Sequence, residues 1–139
     1  MSVDVKHRKT IETWTLIATI LASSMAFIDS SALNVVLSNL QHDLGADGAQ
    51  LLWIVNAYLL MLAALILTGG ALGDRYGRNR IFGMGIVIFA IASLACGLSP
   101  TIGILLGARV IQGIGGALMV PGSLAIISAN FGPVVVAWR

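Results

Sequence analysis

Gly69-Gly70-Ala71-Leu72-Gly73-Asp74-Arg75-Tyr76-Gly77-Arg78-Asn79-Arg80 lies between two long apolar stretches and gathers four charges in a chain that has few others. The glycines at 70, 73 and 77 permit the close backbone approach that a sharp turn needs. Arg75, Arg78 and Arg80 hold such a turn on the cytoplasmic face of a membrane, because short basic loops are retained there. The stretch therefore reads as a surface hinge between two membrane-spanning helices.

Working outward, the composition agrees. Of 139 residues, 58% are hydrophobic and only 10% charged, and the mean hydropathy is +0.94. A soluble core of this length could not hide so much apolar surface. Four segments have the roughly 20 residues needed to cross a hydrocarbon core about 30 Å thick: residues 14–37, 51–72, 81–98 and 102–127. The expected fold is an all-α membrane protein of four transmembrane helices at 14–129, preceded by a cytoplasmic segment at 1–13 and followed by a tail at 130–139.

Lys6, Arg8 and Lys9 precede the first apolar run as they would in a secretory signal. That run is longer than a signal core and three further spans follow it, so it reads as an uncleaved first helix. The two basic clusters, one before helix one and one between helices two and three, belong on the cytoplasmic side. Residues 38–50 and 99–101 carry no Lys or Arg and face outward. An even number of spans then returns both termini to the cytoplasm. Trp14 and Trp53 stand near helix ends, where an indole suits the headgroup region.

The net charge of +2 is explained by these topogenic clusters, which leaves no basic face for nucleic acid. Cys96 stands alone in an apolar run and reads as a small packing residue. No Cys/His spacing suggests a metal, and no nucleophile and base arrangement suggests an enzyme.

Two ionisable residues lie inside the apolar spans, Asp29 and Arg109. Each costs about 2.5–3.5 kcal/mol at a bilayer centre unless it finds a partner or a wet cavity. Each is about eight residues from the outer end of its helix, so at about 1.5 Å per residue both sit on the order of 12 Å inward. Opposite charges at one depth suggest a shared polar interior, where the arginine helps set the proton affinity of the carboxylate. A static ion pair, or two residues facing unrelated helices, is the alternative.

Arg109, Gln112, Gly113 and Gly116 follow i, i+3, i+4, i+7 and share one helical face. Gly113 and Gly116 there, and the Gly103 and Gly107 pair, would let a neighbouring helix approach closely. Pro121 should kink the helix and free backbone groups that neighbours must satisfy.

Three motifs in order resemble the major facilitator superfamily. The stretch from Gly70 to Arg80 is similar to its signature between helices two and three. The run from Leu105 through Arg109, Gln112, Gly113 and Gly115 to Ala117 resembles its helix-four signature. Ile28-Asp29-Ser30-Ser31-Ala32-Leu33-Asn34-Val35-Val36-Leu37 resembles the first-helix motif of the drug:proton antiporter branch, particularly the fourteen-helix type. The chain departs from that motif at Ser31, where threonine is usual, and at Ser38, where proline is usual.

The resemblance implies the first four helices of a major facilitator fold, an N-terminal piece whose substrate site needs further helices. It implies a proton-coupled multidrug exporter in the plasma membrane, a bacterial inner membrane, working on lipophilic or cationic compounds with the proton gradient as energy source and no cofactor. Asp29, Asn34, Arg109 and Gln112 would line the proton and substrate pathway. Gly70, Gly73, Asp74, Arg75, Gly77 and Arg78 would form a gating loop, with Asp74 engaging the positive end of a helix from the opposite half. The other reading is a small four-helix membrane protein with no transport activity of its own, a remnant or a helix-packing partner. The tail at 130–139 lacks the basic loop expected after helix four and reads as truncated or aberrant.

The orientation is checked by labelling in a Cys96→Ala background. Ser99→Cys will react with a membrane-impermeant thiol reagent on intact cells, and Asn79→Cys only after the membrane is opened. The reverse pattern would overturn the orientation.

Overall fold

The computed structural model describes residues 2–131, with side chains described for 13–126 and 128 apart from Thr15. It contains four α-helices: α1 (Ser2–Asp43), α2 (Gly48–Tyr76), α3 (Arg78–Gly97) and α4 (Ile102–Phe131). All four are long and apolar enough to cross a membrane, and the described residues include no strand. Most of the expected tail, residues 132–139, lies outside the described residues.

The helices outrun their apolar cores. Neither glycine nor proline occurs between Ser2 and Asp43, so nothing interrupts α1 until Gly45 takes a left-handed φ of +62°. The expected outer segment at 38–50 therefore shrinks to residues 44–47. There Asp47 caps α2, its side chain accepting from the Gln50 N–H at 2.8 Å while the Gln50 side chain accepts from the Asp47 N–H at 3.0 Å. This reciprocal box satisfies two N–H groups at the start of α2.

The hinge is shorter still. Asp74 and Arg75 belong to the last turn of α2, and Arg78 and Arg80 to the first turn of α3. Only Gly77 is non-helical, with φ +101°, a conformation that L side chains rarely adopt. The charges lie on helix ends and not on a loop, because hydrophobicity limits where a helix sits in the bilayer but not where its backbone stops being helical.

α4 is the hub. α2 and α3 lie along it for most of its length, and α1 makes its main contacts with it. Half of the α4 span is buried, against 11% of the α1 and α2 spans. Close approach is secured by glycines. A Cβ on Gly113 would come 2.7 Å from the Tyr58 carbonyl of α2, and one on Gly115 would come 2.7 Å from the Phe89 nitrogen of α3. Gly116 faces Leu62 and Tyr58, completing the seam against α2. Gly103 and Gly107, expected to act alike, have nothing within 4 Å of the point that a Cβ would occupy. They lie near the α4 start, where no described helix crosses them.

Pro121 sits inside α4. Having no N–H, it leaves the Ala117 carbonyl, four residues back, without its helical donor. Gly69 of α2 packs directly onto that carbonyl, where any Cβ would collide, and Gly70 lies against the Pro121 ring. The glycine pair that opens the hinge signature thus accommodates the proline of α4.

Two apolar clusters form the core. One joins Ala22, Phe82, Phe89, Met119 and Ile126, and the other joins Leu40, Ile54 and Leu105. On α1 and α4, Asp29 and Arg109 fall between the two clusters in sequence, so a polar layer separates two apolar ones.

Gly69→Ala will destabilise the protein by about 1–3 kcal/mol, the usual cost of overpacking. Gly107→Ala will be close to neutral. Thermal unfolding of both variants in detergent checks the contrast.

Candidate functional site

The polar layer is built by three helices. The carboxylate of Asp29 on α1 accepts from Arg109 Nη1 on α4 at 2.7 Å, and the two side chains are only 16% and 7% exposed. The same Nη1 donates to Gln112 Oε1 at 2.9 Å. The amide of Gln112 in turn donates from Nε2 to Ser93 Oγ on α3 at 2.9 Å. Cys96, one turn further along α3, donates from its thiol to Gln112 Oε1 at 3.6 Å. Gln112 is fully buried. One chain of polar contacts therefore runs from α1 through α4 to α3.

The electrostatics follow from burial. A guanidinium buried among apolar helices has little solvent to stabilise it, so direct charge pairing and charge-assisted hydrogen bonds must do so. Arg109 Nε is buried and has no hydrogen-bond partner among the described residues. The pair opens onto a cavity of about 180 Å³ between α1, α3 and α4, lined by Asp29, Leu33, Val36, Ser93, Cys96 and Arg109 among others.

The structure brings Asp29, Arg109 and Gln112 together and leaves Asn34 apart. Asn34 is exposed and lies five residues beyond Asp29, on a different face of α1. Sequence reasoning misses Ser93 and Cys96 as polar partners. They are the only polar side chains of α3 beyond its first turn, and their i, i+3 spacing is the signal that could have found them. Cys96, expected only to pack, also donates a hydrogen bond.

A second cluster occupies the other end of the bundle. Asp74 accepts from Arg78 Nε at 3.1 Å and forms an ion pair with Arg78 Nη2 at 3.0 Å, which ties the end of α2 to the start of α3 across Gly77. Both side chains are at least half exposed, so the pair contributes at most about 1 kcal/mol. The Arg75 guanidinium lies 5.5 Å from the centre of the Tyr76 ring. A cleft of about 130 Å³ between this turn and α4 is lined by Gly70, Gly73, Asp74, Arg78 and Pro121 among others.

Comparison with known proteins joins these two clusters to a family. The profile of the Major Facilitator Superfamily matches residues 19–135. The chain belongs to the major facilitator superfamily. It is 43% identical over 119 residues to the multidrug resistance protein Stp of Mycobacterium tuberculosis, covering 84% of this chain and 22% of that protein. It is 42% identical over 117 residues to the methyl viologen resistance protein SmvA of Salmonella typhimurium, covering 84% of this chain and 24% of that protein. The puromycin resistance protein pur8 of Streptomyces alboniger is 37% identical over 118 residues, covering 85% of this chain and 24% of that protein. The chain thus spans about a quarter of the length of the curated relatives it matches. As a superfamily member it is a multi-pass membrane protein, and both clusters fall inside the matched region.

Arg109→Leu will leave the Asp29 carboxylate buried without its counter-charge and will lower stability by about 3 kcal/mol or more. The double variant Asp29→Leu/Arg109→Leu will recover most of that loss. Thermal melts of the wild type, Asp29→Leu, Arg109→Leu and the double variant measure the difference, and additive losses would show that the two charges do not depend on one another.

Proposed function

We propose that these four helices serve a proton-coupled exporter of lipophilic or cationic compounds. The observation that carries this reading is the Asp29–Arg109 contact of 2.7 Å at a cavity within a membrane-spanning bundle. An ionisable pair in that position marks an ion pathway more often than a structural brace, because packing alone gives no reason to bury charge in a bilayer. The names of the relatives, which refer to resistance to puromycin and methyl viologen and to multidrug resistance, support a drug-like cargo.

In this scheme Asp29 takes up a proton from one side and gives it up to the other, and Arg109 occupies the carboxylate while the proton is away. The energy comes from the proton gradient, so no cofactor enters. Gln112 belongs to the same pathway, and Asn34 faces helices beyond the four described. Such helices complete the cavity, as expected for a fold built of two halves with the substrate between them. The bilayer is the plasma membrane, with both termini on the cytoplasmic side.

The Asp74–Arg78 pair and the glycines around it form the gate at the cytoplasmic end. Its small energy suits that role, since a bias of about 1 kcal/mol moves an equilibrium several-fold without locking it.

In proteoliposomes of the complete transporter, Asp29→Asn and Arg109→Ala will each abolish drug-driven proton movement while inserting normally. Undiminished proton flux in both variants would remove the assigned roles.

A further inference from the structure

A polar residue on α3 stands at the end of the chain of contacts that begins at Asp29, and the coupling scheme gives it no role. Gln112 is the link. An amide presents an acceptor on one side and two donors on the other, and turning it over exchanges them. On the Oε1 side stand two donors, Arg109 Nη1 at 2.9 Å and the Cys96 thiol at 3.6 Å. On the Nε2 side stands Ser93 Oγ at 2.9 Å. Gln112 itself is fully buried.

We propose that Ser93 is a positioning residue for Arg109. By accepting from Nε2, its hydroxyl holds the Gln112 amide with its oxygen toward the guanidinium. Without that hydroxyl the Nε2 N–H group is buried with no partner, and the Gln112 side chain must shift to find one. A shift of the amide draws Oε1 away from Arg109 Nη1, which loses its neutral acceptor. The guanidinium then leaves its place between Gln112 and Asp29. α3 thereby acts on a pair contributed by α1 and α4, and a small displacement of α3 along α4 reaches the pair through one side chain. The other titratable groups near Asp29 are Cys96 on α3, which lines the same cavity, and Tyr58 on α2, within electrostatic reach of both charges. Neither contacts Gln112 Nε2, so neither replaces Ser93.

This inference rests on the reading of Asp29 and Arg109 as the coupling pair, and its test uses no transport. Solid-state NMR of the protein in lipid bilayers measures the dipolar coupling between the labelled Arg109 Nη and Asp29 Cγ, assigned by its absence in Asp29→Leu. Ser93→Ala will lower the ratio of engaged to released guanidinium roughly fivefold, the effect of one lost hydrogen bond. Ser93→Thr, which keeps a hydroxyl, will restore it. Gln112→Leu will weaken the coupling to a similar degree, and adding Ser93→Ala to it will change nothing further. Wild-type coupling in Ser93→Ala at unchanged helix content would overturn the proposal, as would a full further loss in the Gln112→Leu background. A coupling that responds as stated in a protein whose proton flux ignores Asp29 would support the positioning role and remove the transport reading alone.

Discussion

A charge inside a bilayer needs a partner or a wet cavity, and the contact between Asp29 and Arg109 gives each residue its partner. The placement of α1 follows from it. α1 packs loosely on the bundle and its principal partner is α4, so the ion pair fixes the rotation of α1 about its own axis. Turning α1 by half a revolution would strand a carboxylate in hydrocarbon. The two apolar clusters above and below supply area, but area alone does not specify which face of an apolar helix turns inward.

α4 serves both ends of the molecule. Near its start it carries Arg109 and Gln112, and further on it carries Pro121, against which the glycines of the hinge signature pack. The carbonyl freed by the proline lies under Gly69, the first residue of the stretch that leads to Asp74 and Arg78. The polar layer and the turn at Gly77 are therefore both fixed to α4. A movement of α4 that disturbs one is felt at the other.

Much of this is legible in the sequence. The number of helices follows from the lengths of the apolar runs, and the ion pair from two charges at matching depth. What is not legible has physical causes. Hydropathy marks where a helix meets the bilayer, so it does not reveal the helical backbone of α1 through Asp43 or of α2 through Tyr76. A glycine repeat shows where a neighbour could approach but not whether one does, so Gly113 and Gly103 look alike in sequence although only Gly113 is covered. Asn34 shares a motif with Asp29, yet five residues of helix turn it to another face. Ser93 gives no signal of its own, because a serine in a transmembrane helix usually satisfies itself on its own backbone, as Ser24 and Ser30 do here.

We propose, from the geometry of the polar layer, that Asp29 is the site where proton and cationic cargo exclude one another. Its most direct test is a proton count at equilibrium. The purified transporter, in lightly buffered detergent solution, is titrated with a lipophilic cation such as tetraphenylphosphonium while a dye reports pH. Binding is predicted to release a proton from the wild-type protein and none from Asp29→Asn. The same release from both proteins would contradict the claim.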